Sequence, residues 1–449
     1  MAEAAFPPGP RAPALLQGVR YTRSPLSYLS HQRERYGDVF SARYPSFDRM
    51  VYVADPALVK QVFTGNPSQF HAGEANATVL EPAVGPKSVL VLDDDEHMRQ
   101  RKLLLPPFHG ERVRRYGDLM REIAEREMET WPVGRAFSAR DHTVAITLEV
   151  ILRAVFGLRE AGRLALAREV VGEFARRSHR VVLYPFLRKD LGRFSPWARF
   201  KRARAELDAF IYEEIAARRK QPDAEERDDV LSLMLGATHE DGTPMTDTEL
   251  RDELVTVIGA GHETTATSLA WALERLLRTP AVLERARAAA IGDDDDYLDA
   301  VVKETLRARP VITEVARKLT EETEIGGYRL PAGTFVSPAI TALHFRADLF
   351  PDPRMFRPER FLEGEGDTYS WIPFGGGVRR CLGAAFAQYE MRVVLSTILR
   401  RADLRAERPE PEPARIRNIT LAPERGARVV LEAPLRSARE LSATLAAAS

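Results

Sequence analysis

Apolar residues recur at helical spacing along most of this chain and alternate at strand spacing only in short, scattered runs. Val51 to Val53 is a β-rich run after Tyr44-Pro45-Ser46-Phe47-Asp48, which predicts a hairpin near the N-terminus, and Asp55-Pro56 then opens a helix. Between Phe70 and Lys87 the chain is rich in Gly, Pro, Ala and Asn with weak periodicity, which predicts a long irregular loop, with helical patterning resuming near Asp93. Helical, charge-laced stretches run from Gly110 to Arg219, broken where proline removes a donor at Trp131-Pro132, Tyr184-Pro185 and Ser195-Pro196. The connection Val181 to Leu187 is unusually apolar, fitting either a turn packed on the core or a lipophilic access lid.

Thr246-Asp247-Thr248-Glu249 has the form of a helix cap, and the apolar pattern behind it continues to Leu277 before Thr279-Pro280 stops it. This predicts a central helix of about thirty residues. The acidic run Asp293 to Asp296 reads as a solvated loop or helix start, since no spaced metal ligands accompany it. Strand residues around Gly and Pro from Glu324 to Val336 predict a small sheet, and Arg415 to Leu431 a further hairpin. The fold class is therefore mainly α with a smaller β region, taken as one domain over 1–449 with a Pro-rich N-terminal tail at 1–20.

Composition narrows the function. Hydrophobic residues are 44% and charged residues 29% of 449, enough for a sizeable core. Lys plus Arg and Asp plus Glu are 65 each, so no global field attracts nucleic acid or anionic lipid. The opening Met-Ala-Glu-Ala-Ala-Phe-Pro-Pro-Gly-Pro has no basic n-region or apolar core, and no run approaches the roughly 20 apolar residues of a membrane span, so a cytoplasmic protein is expected. One cysteine excludes an internal disulfide and leaves its sulfur for packing, chemistry or ligation.

That cysteine lies in Phe374-Gly375-Gly376-Gly377-Val378-Arg379-Arg380-Cys381-Leu382-Gly383, directly before a good helix at Ala384 to Met391. The helix dipole, backbone N–H groups and the arginine pair should stabilise a thiolate, the form a metal ligand requires. Three glycines permit close backbone approach to something flat or bulky, whereas a phosphate loop would need Gly-Lys-Ser/Thr, which is absent.

At Phe374, Gly377, Arg379, Cys381 and Gly383 the sequence resembles the cytochrome P450 family, and the resemblance extends from about Tyr36 to Val430. It implies a triangular, mainly helical fold with haem b held between the long central helix and the cysteine-loop helix, and Cys381 as the iron ligand. Glu304-Thr305-Leu306-Arg307 matches the family's Glu-x-x-Arg motif, although the same spacing at Glu111/Arg114, Glu173/Arg176 and Glu284/Arg287 is ordinary helix pairing. The resemblance supplies Arg360 as third partner, so that two guanidinium forks bracket one carboxylate in a structural ion-pair triad.

Ala260-Gly261-His262-Glu263-Thr264-Thr265 falls midway along the predicted long helix, where Gly costs about 1 kcal/mol relative to Ala. It fits a packing kink; the resemblance instead implies a widened groove for dioxygen at Ala260 and Gly261, with Thr264 bonding the oxygen and Glu263 relaying protons. His262 is expected outward or packed, because an axial histidine would block oxygen. Two haem propionates call for cations: His97 and Arg101 lie i,i+4, and Arg317 and Arg379 match the other two expected donors.

The resemblance implies a monooxygenase: one atom of dioxygen enters an apolar or amphipathic small molecule by hydroxylation or epoxidation. A haem-thiolate peroxygenase or isomerase, or a haem sensor or carrier, is the alternative. No flavin or nicotinamide fingerprint is present, so electrons from NAD(P)H are expected through a separate ferredoxin or flavodoxin and its reductase, docking near Arg380 and Lys102. Ala75 to Val84, Val182 to Leu187, Leu254 to Thr264, Val311 to Val315 and Ile419 to Leu421 are the expected substrate-lining segments, and the protein is expected to be a monomer. Arg307 to Val311 and His344 to Asp348 depart slightly from the family pattern.

Overall fold

The computed structural model describes residues 6–45, 47–108, 110–223, 226–364, 367–417 and 419–437. Chain entry differs from a tail. After the prolines, helix α1 (Ala14–Arg23) begins inside the expected 1–20 tail, anchored by the buried Gln17 amide, which donates to the Pro10 and Ala12 carbonyls at 3.0 and 2.7 Å. Met1 to Ala5 and Ser46 lie outside the described residues.

Helix α2 (Pro25–Tyr36) leads into the predicted hairpin, β1 (Val39–Tyr44) antiparallel to β2 (Phe47–Val53), with Val39 opposite Val53. Asp55 caps α3 (Pro56–Thr64) as expected, accepting from the Ala57 and Leu58 N–H groups. Strand β3 (Phe70–His71) then leads into α4 (Ala72–Val84), so the loop expected between Phe70 and Lys87 is a helix instead. Its missing cap comes from twenty residues downstream: the Asp93 carboxylate accepts from the Gly73 and Glu74 N–H groups, both at 2.8 Å. Local periodicity could not reveal a cap supplied from outside the segment.

The helical body comprises α5 (Asp94–Leu104), α6 (Glu111–Arg115), α7 (Gly117–Met128), strand β4 (Ala136–Ser138), α8 (Ala139–Phe156), α9 (Ala161–Leu183), α10 (Pro196–Arg219) and α11 (Val230–Gly236). It breaks at the three predicted prolines. The predicted central helix is α12 (Asp247–Leu276), 30 residues opened by a capping box in which Thr246 Oγ1 and the Glu249 carboxylate each accept the other's backbone N–H. Helix α8 lies along it: Thr143 and Thr147 donate their hydroxyls to the Ala266 and His262 carbonyls, each at 2.9 Å. Then follow α13 (Pro280–Ile291) and α14 (Asp295–Ala308), where Asp294 is the cap and the acidic run is a helix start as read.

Beyond α14 come β5 (Arg317–Leu319), β6 (Thr323–Ile325), β7 (Tyr328–Leu330), β8 (Phe335–Pro338) and the short α15 (Ile340–His344). The segment Glu324 to Val336 does not make one small sheet. β6 and β7 pair only with each other, while β8 lies parallel to β2 with Val51 opposite Val336, in a sheet of order β1-β2-β8-β5-β3. Helix α16 (Ala384–Arg401) follows the cysteine loop, then β9 (Leu404–Ala406), β10 (Ala414–Arg417), β11 (Thr420–Pro423) and β12 (Arg428–Leu431). The C-terminal hairpin is β10/β11, and β12 leaves it to lie between β4 and β9. The main hydrophobic core joins α7, α8, α12, α14 and α16; a second one underlies the five-stranded sheet. Among the described residues no helix is long and apolar enough to cross a membrane.

Candidate functional site

The cysteine loop is a tight turn anchored at both ends. Gly375 N–H donates to the Ile372 carbonyl and Cys381 N–H to the Phe374 carbonyl, both at 3.0 Å, and a 3-10 turn spans Gly377–Arg379. At two of the glycines the close approach is to Phe63 of α3. Gly375 and Gly377 take φ of +67° and +62°, and a Cβ on Gly377 would stand 1.9 Å from the Phe63 carbonyl oxygen of α3, while one on Gly376 would meet the Phe63 ring at 2.3 Å. Close approach is thus to protein, which fixes the loop on α3 and leaves the Cys381 side exposed.

Cys381 is accessible yet closely surrounded by protein, and burial pushes its thiol above the ordinary value. The Gly383 N–H and the Arg101 and Arg380 guanidinium groups pull the other way without overcoming it. The loop's N–H group and the arginines thus act in the expected direction, and a nearby metal cation would complete the stabilisation.

Three separate segments bring His97, Arg101, Arg317 and Arg379 together. His97 is buried, and burial followed by repulsion from Arg379, Arg101 and Arg317 pushes its imidazole down to about 3. Burial, then repulsion from Arg379, pushes Arg317 down to about 10, and burial, helped by Arg101 and opposed by Asp93, pushes Arg379 down to about 10. Arg379 pairs with Asp93 and donates to the Val89 carbonyl at 3.2 Å; Arg317 lies 5.6 Å from the Phe63 ring. His97, Arg317 and Arg379 also line one cavity with Phe63, Phe70 and Met98. Three guanidinium groups gathered around His97, with Asp93 ion-paired to Arg379, make a site for a dianion. An accessible thiol on the adjoining loop adds a soft metal ligand, so the residues fit an iron porphyrin with two propionates.

The centre of α12 shows how a helix can present open backbone from inside a protein. Gly259 and Ala260 are exposed although the helix on either side is buried. Thr264 donates its hydroxyl to the Ala260 carbonyl at 2.7 Å, and Thr265 to Gly261 at 3.1 Å, yet the helix runs unbroken. Gly261 has a packing reason, since a Cβ there would come 2.8 Å from Ile151 Cδ1 of α8. His262 is buried and packed, its Nδ1 bonded to the Ile258 carbonyl at 2.7 Å, and burial lowers its proton affinity. The Glu263 carboxylate accepts from Arg140 at 3.0 Å. Arg140 escaped the sequence reading because its partner lies 123 residues on.

The triad forms with a modification. Glu304 and Arg307 are fully buried and bidentate, at 2.7 and 2.8 Å. Arg360 stands 3.1 Å from the same carboxylate, but its Nε is not aligned for a hydrogen bond; the fork donates instead to the Pro351 and Met355 carbonyls. The second carboxylate oxygen accepts from the Arg357 backbone at 2.9 Å. A relay that the sequence did not suggest then reaches the cysteine loop: Arg307 donates to the His344 carbonyl at 2.9 Å, and His344 Nε2 accepts from Ile372 N–H at 3.0 Å. Burial, then Arg307, pushes His344 down to about 3, which keeps it a neutral acceptor.

Of the expected lining segments, α4 and α12 are joined by a 3.2 Å hydrogen bond from Arg251 to the Val84 carbonyl, and the segment just past α4 is bonded to α12 through Ser88 and Thr256 at 2.7 Å. In the Val182 to Leu187 segment Val182 is buried, but Phe186 is 67% exposed and faces outward. Lys102, expected at a docking face, is bonded to Glu240 at 2.6 Å, while Arg380 is exposed.

The family model for cytochrome P450 matches residues 7–430. A Mycobacterium tuberculosis protein named cytochrome P450 135B1 is 46% identical over 445 residues, covering 98% of this chain and 93% of that one. Cytochrome P450 135A1 of the same organism is 41% identical over 434 residues, covering 95% of both. In fold, the chain is similar to the solved structure titled retinoic acid bound cyanobacterial CYP120A1, with a TM-score of 0.81 at 23% identity, over 96% of this chain and 100% of that one.

Proposed function

This chain belongs to the cytochrome P450 family, and from that premise we propose that it inserts one atom of dioxygen into an apolar or amphipathic small molecule. Family membership makes it in general a haem-thiolate monooxygenase; substrate range, residue roles and electron supply are the proposal. Haem, when bound, supplies the iron at which dioxygen is activated.

The carrying observation is the convergence of His97, Arg101, Arg317 and Arg379 beside the accessible Cys381 thiol. His97 and the three arginines would hold the propionates, and Cys381 would ligate the iron from the loop that Phe374 and Gly383 frame. Thr264, already bonded to the Ala260 carbonyl, would turn its hydroxyl toward oxygen, and Glu263 would carry protons in from its place on Arg140. Apolar faces of α4 and α12 would exclude water and favour apolar substrates. Electrons from NAD(P)H would arrive through a ferredoxin or flavodoxin docking near Arg380.

The test is the absorption spectrum of the reduced protein with carbon monoxide, whose Soret position separates thiolate from imidazole or thiol ligation. Cys381→Ala should abolish the thiolate band; a spectrum unaltered by that substitution overturns the proposal. Thr264→Ala should keep the band and lower product formed per dioxygen consumed, whereas a carrier or sensor would form no product in either protein.

A further inference from the structure

Two carbonyls, one in α4 and one in the last turn of α9, are orphaned by proline. In α4 the Thr78 carbonyl would bond the N–H four residues on, but that residue is Pro82. At the end of α9 the Val181 carbonyl would look to Pro185, which also has no N–H. One side chain serves both. Arg188 donates Nη1 to the Thr78 carbonyl at 2.8 Å and Nε to the Val181 carbonyl at 2.9 Å, and its Nη2 reaches Val79 and Val182 at 3.1 and 3.3 Å.

Among the described residues Arg188 has no carboxylate within ion-pair distance, so this partly buried cation is held by carbonyl dipoles, two of them in the last turn of α9. α4 itself bridges the interior site. Its first turn is capped by Asp93, which pairs with Arg379, and the segment just past its end hangs on α12 through Lys87 N–H to Asp252 and Val89 N–H to Glu253, each at 2.8 Å. The side toward α9 and the exposed Tyr184 and Phe186 is tied by Arg188, with Arg204 of α10 adding one bond to the Pro82 carbonyl at 2.8 Å.

We infer that Arg188 is a latch: by satisfying the proline-orphaned carbonyls of α4 and α9 together it holds the two elements closed over the interior, and so sets the rate at which ligands enter and leave. The inference rests on the proposed haem site lying beneath α4. Arg188 is a positioning residue, because it acts through the two elements it joins. Its planar fork spans carbonyls from two elements, which a lysine point charge does not.

The experiment uses the full-length haem-loaded protein and 4-phenylimidazole, whose ring nitrogen ligates haem iron and shifts the Soret band. In stopped-flow mixing, Arg188→Met should speed association and dissociation both, on the order of tenfold, with equilibrium affinity, the carbon monoxide band and the melting midpoint close to wild type. Arg188→Lys should behave as Arg188→Met; wild-type rates in the lysine variant would overturn the fork. Pro82→Ala returns an N–H to Thr78, competes with Arg188 and strengthens α4, so it should also speed both steps, and it decides the matter where Arg188→Met fails to fold. Rates unchanged in these variants while the carbon monoxide band is intact overturn the latch. A wild-type protein lacking that band refutes the haem reading instead; amide exchange then tests the latch alone, and protection at 76–84 and 181–188 that stays the same in Arg188→Met or Pro82→Ala sinks it.

Discussion

Glu304 and Arg307 show how much one residue pair can hold in place. Both are fully buried, and the pair ties α14 to the chain at Arg357 and, through His344, to Ile372 ahead of the cysteine loop. Arg307→Met leaves a buried carboxylate without its fork, and should cost about 3–5 kcal/mol in denaturant unfolding. The pair's chemistry could be read from Glu-x-x-Arg, but identical spacing at Glu173/Arg176 gives only an exposed surface pair, so burial and not spacing distinguishes them. Glu390 on α16 makes the opposite case. It is buried, one carboxylate oxygen has no hydrogen-bond partner, and burial raises its pKa well above 4.5. A raised folded-state value means that stability is fully present below the ordinary Glu range and is lost as pH rises toward the folded value. Glu390→Gln should therefore match wild type near pH 4 and gain melting temperature over it as pH rises; a difference that shrinks with pH would contradict this. Nothing in Gln388-Tyr389-Glu390-Met391 separates Glu390 from a surface glutamate except its place on the helix.

Elements whose signals are local were legible, and those completed from afar were not. α12 carries its own capping box and stop, so its bounds follow from the sequence to within a residue. α4 does not: His71 gives it no side-chain cap, Pro82 interrupts it, and its N–H groups are satisfied by Asp93 across the next segment. Asp93→Asn keeps an acceptor but loses charge toward the helix start and toward Arg379. We expect protection of the first α4 amides to fall by about 1 kcal/mol in hydrogen exchange, with α12 unchanged. The strands repeat the lesson. β6, β7 and β8 all have strand composition, but only long-range packing sends β8 to β2.

At the scale of the whole molecule, three segments converge on one charged site: α5 brings His97 and Arg101, β5 brings Arg317, the cysteine loop brings Arg379 and Cys381. Like charges held together weaken the fold until an anion joins them, so haem should raise the melting temperature, by about 2.7 kcal/mol of stability at a hundredfold excess over its dissociation constant. Arg317→Met should narrow that gap by loosening haem while raising the stability of the haem-free protein, as it removes a buried cation; thermal melts with and without haem check both. By itself the sequence determined the helical class, the long central helix and the cysteine loop, because caps, periodicity and a contiguous motif are written in neighbouring residues. Only the tertiary structure decided that α4 is helical, that Gly376 and Gly377 make room for Phe63, that Glu263 rests on Arg140 and that His344 reaches the loop. Each of these depends on a partner far along the chain, and which distant groups meet is set by packing of the whole core.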